Sequence, residues 1–127
     1  NEVVRQVLNP IWNAYNFFTL YANADGIKGN LISSSSNLND QYILSKIRDA
    51  VEEIDAAFTA YDLPIACDAV KNFFEVLNNW FIRRNRTRFW KSEQDADKQS
   101  AYDTLYTVLH HICIAASPLL PVLLEYI

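Results

Sequence analysis

Methionine is absent from the 127 residues, and there are only two glycines and two cysteines. Two glycines leave no room for a Gly-rich phosphate loop of the Walker or dinucleotide type, so that nucleotide chemistry is excluded from this stretch of chain. Cys67 and Cys113 stand without a CxxC or a framework of spacings, which predicts two buried free thiols in a reducing compartment. No apolar run approaches the roughly 18–20 residues of a membrane span, and the N-terminus lacks the order of a signal peptide; a soluble, intracellular chain is expected. The missing methionine, a start already inside a helical pattern and an end at Glu125-Tyr126-Ile127 without a polar tail predict a domain cut from a longer protein.

What is present is apolar. Half the residues are hydrophobic and 20% are charged, which excludes disorder over most of the length. A single domain of this size buries a core without disulfides or a metal. A second absence is local. Asn78 to Lys91, NNWFIRRNRTRFWK, contains no carboxylate, although the chain carries a net charge of -4. Arg83, Arg84, Arg86, Arg88 and Lys91 give this stretch +5 and leave the remainder at -9.

Hydrophobic spacing then predicts helices throughout and no strand. Val4, Leu8, Ile11, Tyr15, Phe18 and Ala22 recur at intervals of three and four, one stripe of a helix over about Glu2–Asn23. Pro10 is expected to bend it or to start a new helix near Asn9. From Gly26 to Asn39 the sequence has no period and holds four consecutive serines, which predicts a mobile loop. Asn39 or Asp40 would cap a second helix, with Ile43, Ile47, Val51 or Ala50, Ile54, Phe58 and Tyr61 inward. Pro64 fits the first turn of a third, running unbroken to Trp90 for about 40 Å. After an acidic turn over Ser92–Asp97, a fourth reaches Ala116 with Leu105, Val108, Leu109 and Ile112 on its inner face. A short apolar helix, Pro118–Ile127, closes an all-α antiparallel bundle of four long helices plus a short C-terminal one.

On a wheel at about 100° per residue, Val70, Phe73, Phe74, Leu77 and Phe81 share the core side of helix three. Asn79, Trp80, Arg83, Arg86, Thr87 and Trp90 form a solvent-facing ridge. Arg84 and Arg88 fall on the core side as structural clamps, served by carboxylates in the 92–97 turn or on helix two. Five cations without an acid repel one another along a helix, and arginine interleaved with aromatics is what phosphates and stacked bases reward. A solvated packing face, a protein-interaction module and a structural spacer remain the other readings. Trp12 lies within an apolar stripe and is expected in the core or packed against a neighbouring helix. His110 and Cys113 have i, i+3 spacing, but two ligands are too few for a metal site.

Trp80-Phe81-Ile82-Arg83-Arg84-Asn85-Arg86-Thr87-Arg88-Phe89-Trp90 resembles the WYIRRxRxRFW signature of the helical anticodon-binding domain of isoleucyl-tRNA synthetases. Asn9-Pro10-Ile11-Trp12-Asn13-Ala14-Tyr15 is similar to the PLWNAY opening of that domain, and Asp40-Gln41-Tyr42-Ile43-Leu44-Ser45 to its DRWILS segment. Tyr61-Asp62-Leu63 and Ala101-Tyr102-Asp103-Thr104-Leu105 resemble its YDL and AYxTL runs. These matches keep the family's order; valyl and leucyl enzymes share WNA and DxWILS but lack the arginine-rich run. Gln41-Tyr42 departs from Arg-Trp, and the stretch from Ser117 to Glu125 is a drifted form of APFxPFLxEE.

The resemblance implies a domain that holds the anticodon stem-loop of isoleucine tRNA through Asn79, Trp80, Arg83, Arg86, Thr87 and Trp90. It further implies a monomeric cytoplasmic ligase whose catalytic domain, with ATP and Mg, lies elsewhere in the longer chain. Zinc would belong to a C-terminal region of that enzyme. The HIGH-like and KMSKS-like motifs are absent here, so no catalysis, cofactor or metal is expected of these residues themselves.

Overall fold

The first helix, α1 (Glu2–Asp25), contains Pro10 within it and does not restart there. The structure, a computed structural model, describes residues 2–26, 29–90 and 96–118, and of residues 2–8 the backbone alone. α2 spans Leu38–Thr59 and α3 Leu63–Val76. A π-helical segment, Leu77–Ile82, continues α3 and leads through Arg83 and Arg84 to a break at Asn85. α4 (Arg86–Trp90) follows, and α5 covers Ala96–Ala116. All elements among the described residues are helical. Of the acidic turn expected over Ser92–Asp97, Ala96 and Asp97 lie in α5 and the rest falls outside the described residues, as does the C-terminal helix expected over Pro118–Ile127 apart from Pro118.

α2 and α3 form a helical hairpin through three residues, each with a defined task. Asp62 N–H donates to Ala57 O at 2.8 Å and Tyr61 N–H to Phe58 O at 3.0 Å, which closes α2 as a Schellman motif. Tyr61 occupies its left-handed position, φ 56°, where glycine is usual. Asp62 then caps α3, accepting from Ile65 N–H at 3.2 Å, with Pro64 in the first turn.

Against this hairpin pack α1 and α5, and the core lies between all four. Val70, Phe73, Phe74, Leu77 and Phe81 are buried, as are Leu105, Val108, Leu109 and Ile112. On α2 the inner face is Ile43, Ile47, Ala50, Ile54 and Ala57, with Val51 and Phe58 half-buried and Tyr61 exposed. α1 departs further from its expected stripe. Ala14 and Ala22 are buried and Ile11, Phe17, Phe18 and Tyr21 half-buried, while Tyr15 is exposed. Trp12, expected in the core or against a neighbouring helix, is 63% exposed and lies near Tyr15, ring centroids 6.1 Å apart.

The serine-rich segment, expected as a mobile loop, makes hydrogen bonds to the neighbouring helices from Asn30 onward. Asn30 N–H donates to Asp103 Oδ1 at 2.9 Å and Ile32 N–H to Thr107 Oγ1 at 3.0 Å, both on α5. Arg48 on α2 donates to Ser33 O at 2.9 Å. Asn37, two residues before the expected cap, starts α2 by accepting from Asn39 and Asp40 N–H. Both thiols are free as expected, but Cys67 is half-buried and Cys113 exposed; partial desolvation raises both pKa values, helped at Cys67 by Asp68.

Candidate nucleic-acid interface

Two buried anchors fix α4, which at five residues has no stability of its own. Phe89 is fully buried, edge-on to Phe17 of α1 at 5.2 Å and to Tyr102 of α5 at 5.0 Å. Arg88 is 8% exposed and donates from Nη1 and Nη2 to the two oxygens of Asp40, at 2.7 and 3.0 Å. It also pairs with Asp97 at 3.0 Å. Burial opposes its charge, and the Asp40 and Asp97 carboxylates more than offset that, leaving the guanidinium pKa above its ordinary value. Arg88 is thus held by α2 and the start of α5.

With Arg88 and Phe89 turned inward, their neighbours face solvent. Asn79, Arg83, Arg86, Thr87 and Trp90 are exposed, and Trp80 is half-buried. Arg84 is exposed too, contrary to its expected clamp role. The cause is the π-helical segment. Its i→i+5 bonds put more residues into each turn, so the wheel of a regular helix no longer holds beyond Leu77. Asn85 takes the inward place instead, 1% exposed, donating from Nδ2 to Phe81 O at 2.7 Å and accepting from Arg88 at 3.1 Å.

Aromatic rings brace the exposed cations. Arg84 lies 5.3 Å from the Trp80 ring and Arg86 5.9 Å from the Trp90 ring. Such pairs restrain the guanidinium while leaving its N–H edges for a ligand. Trp80 itself packs on Tyr42 of α2, centroids 4.5 Å apart, and Trp90 on Tyr21 of α1 at 6.4 Å. The ridge therefore has two aromatic supports, one on each neighbouring helix. Lys46 and Tyr21 have no signal in the sequence, and Tyr42 stands out there only as a departure from the family's Arg-Trp; all three enter through tertiary packing. Arg83, Arg84 and Arg86 form no ion pair among the described residues.

His110 and Cys113 acquire no third ligand: no group of three or more His, Cys, Asp or Glu that could hold a metal occurs among the described residues. No described helix is long and apolar enough to cross a membrane.

Among the described residues, an all-helical bundle fixes an exposed arginine-rich ridge on two aromatic supports, the architecture of a helical binding domain rather than of a catalytic one. Residues 40–127 match the family described as the anticodon-binding domain of tRNA ligase, and the chain belongs to that family. Over 126 residues it is 58% identical to isoleucine–tRNA ligase of Rickettsia bellii (strain OSU 85-389), 55% to that of Rickettsia peacockii (strain Rustic) and 52% to that of Wolbachia pipientis wMel. Each match covers 99% of this chain and 11–12% of the relative, so the chain spans about a ninth of the length of these proteins.

Proposed function

We propose that this chain is the anticodon-arm-binding domain of an isoleucine–tRNA ligase, with Asn79, Trp80, Arg83, Arg86, Thr87 and Trp90 against the anticodon arm of isoleucine tRNA. The observation that carries the reading is the exposure of Arg83 and Arg86 beside Trp90, 54% exposed, on a chain that is otherwise acidic. Guanidinium forks suit phosphates and aromatic faces suit unpaired bases. Family membership supplies the kind of RNA. Joining isoleucine to the tRNA in the cytoplasm, with ATP, Mg and any zinc, falls to parts of the longer protein outside these residues. This domain contributes positioning: an arm held at one end restricts where the 3′ end can lie.

An NMR titration with an isoleucine anticodon hairpin and a scrambled-loop control tests it. Shifts that include Trp80, Arg83, Arg86 and Trp90, larger for the cognate loop, are expected; none at about millimolar RNA would reduce the domain to a spacer. A separate apolar groove favours a second contact of another kind. Tyr15 and Phe18 of α1 line it with Tyr106, Leu109, Cys113 and Ile114 of α5. In a chain about a ninth as long as its relatives, it suits packing against another part of the same protein, insensitive to salt.

A further inference from the structure

Trp80 is not the open stacking surface that its place on the ridge suggests. It is half-buried, with the Tyr42 ring centroid at 4.5 Å and the Arg84 guanidinium at 5.3 Å. What remains accessible there is Tyr42, 43% exposed, together with Arg84. One turn along α2, the Lys46 Nζ lies 5.5 Å from the Tyr42 ring. The register of α2 beside this segment is fixed a turn earlier, where Asn39 Nδ2 donates to Asn85 Oδ1 at 3.2 Å. Asp40, two residues before Tyr42, is fully buried and consumed by Arg88, while Asp49 and Glu53, beyond Lys46 on α2, line a pocket.

We propose that Tyr42, Arg84 and Lys46, arrayed on Trp80, form a site for one unpaired RNA nucleotide, its base stacked on Tyr42 and its phosphate held by Arg84 and Lys46. Trp80 is the positioning residue that braces Tyr42 and Arg84. Stacking on an aromatic ring accepts any base and requires that the base be out of a duplex, which selects a loop over a stem. A guanidinium already resting on an indole loses less freedom on gripping a phosphate than a free one. The site deepens the tRNA-arm reading and rests on it, but its RNA contacts are residues other than Arg83 and Arg86, and it shares only Trp80 with the ridge.

The test uses the 127-residue chain and an isoleucine anticodon hairpin carrying 2-aminopurine at each loop position in turn, beside a blunt duplex of the same stem. Quenching at one loop position is expected. Tyr42→Leu should abolish it and weaken hairpin binding about tenfold, whereas Tyr42→Phe keeps both. Arg84→Ala and Arg84→Lys should each weaken the hairpin several-fold, with duplex binding unchanged and thermal unfolding as wild type, since Arg84 is exposed. If Tyr42→Leu and Arg84→Ala bind and quench like wild type while Arg83→Ala and Arg86→Ala weaken the hairpin, the site is overturned and the ridge reading stands. If the wild-type chain binds neither RNA, both are overturned.

Discussion

Arg88 and Asp40, 48 residues apart, meet as a buried bidentate pair, Nη1 to Oδ1 at 2.7 Å and Nη2 to Oδ2 at 3.0 Å. Asp40 is fully buried and its Oδ2 also accepts from Ser35 at 3.0 Å and from Ser100 at 2.9 Å. One carboxylate thereby joins the serine-rich segment, α2, α4 and α5. The exposed arginines that precede Arg88 have their direction from this pair.

Removing one partner should be costly. Asp40→Ala leaves a buried guanidinium uncompensated and is expected to destabilise the fold by about 3–5 kcal/mol, read from the urea midpoint. The double change Asp40→Leu with Arg88→Met should cost much less, because no charge is stranded. If the single and double variants unfold alike, the pair is not what holds α4.

Gly29 tests whether the serine-rich segment is docked. A Cβ built there would lie 2.5 Å from Tyr106 Cβ and 2.8 Å from its Cγ. Gly29→Ala should therefore destabilise by about 1–3 kcal/mol through forced displacement of the segment or of α5. A neutral result by thermal unfolding would show that the segment moves aside freely.

Those two sites mark where the sequence stopped being legible. Helix positions and the α3 and α5 core faces follow from apolar spacing, because burying a stripe is a local decision. The four serines read as linker because Ser35 is tied down by the Ser100 hydroxyl, 65 residues on, and by Asp40, whose burial depends on Arg88, 48 residues on. Nothing in Leu77–Ile82 marks a π-helical segment, since its apolar residues fill the core with either hydrogen-bond pattern. Arg84 was misplaced for that reason. Lys98, fully buried, gave no signal either; it is held by Asp25 at 2.9 Å, at the far end of α1.

Asp25 also predicts a pH response. A hydrogen bond from Tyr102 Oη at 2.6 Å, then one from Lys98, holds its pKa below the model-peptide value of 3.8. A depressed folded pKa means stability that is complete above about pH 5 and lost as the pH falls below 3.8 toward the folded value. Tyr102 shows the opposite case: burial, then Asp25, raises its pKa above the usual 10, so its contribution is complete below 10 and lost as the pH climbs beyond it. Tyr102→Phe should flatten both limbs of the stability profile measured by urea unfolding from pH 2 to 11. Unchanged limbs would place the titrating groups elsewhere.

Tyr61 should yield stability by a backbone route. Its φ of 56° lies in the left-handed region, and its ring is 92% exposed, so little packing is at stake. Tyr61→Gly relieves the left-handed strain but frees the unfolded chain, for a net gain of about 0.5–1 kcal/mol in chemical unfolding. A loss would mean that the ring has a contact in solution.

Salt dependence separates the roles of the ridge arginines from those of the buried one. RNA held through about three or four cations should lose affinity with a log–log slope of roughly -2 to -4, and Arg83→Ala and Arg86→Ala should each flatten it by about one. Arg88 contacts no ligand in this scheme. Arg88→Met should lower affinity through loss of fold while leaving the slope of the remaining folded fraction unchanged. A flattened slope in Arg88→Met with unfolding unaffected would instead make that guanidinium part of the RNA contact. A slope near zero in the wild-type chain would sink the electrostatic reading altogether, since an apolar interface releases no counterions.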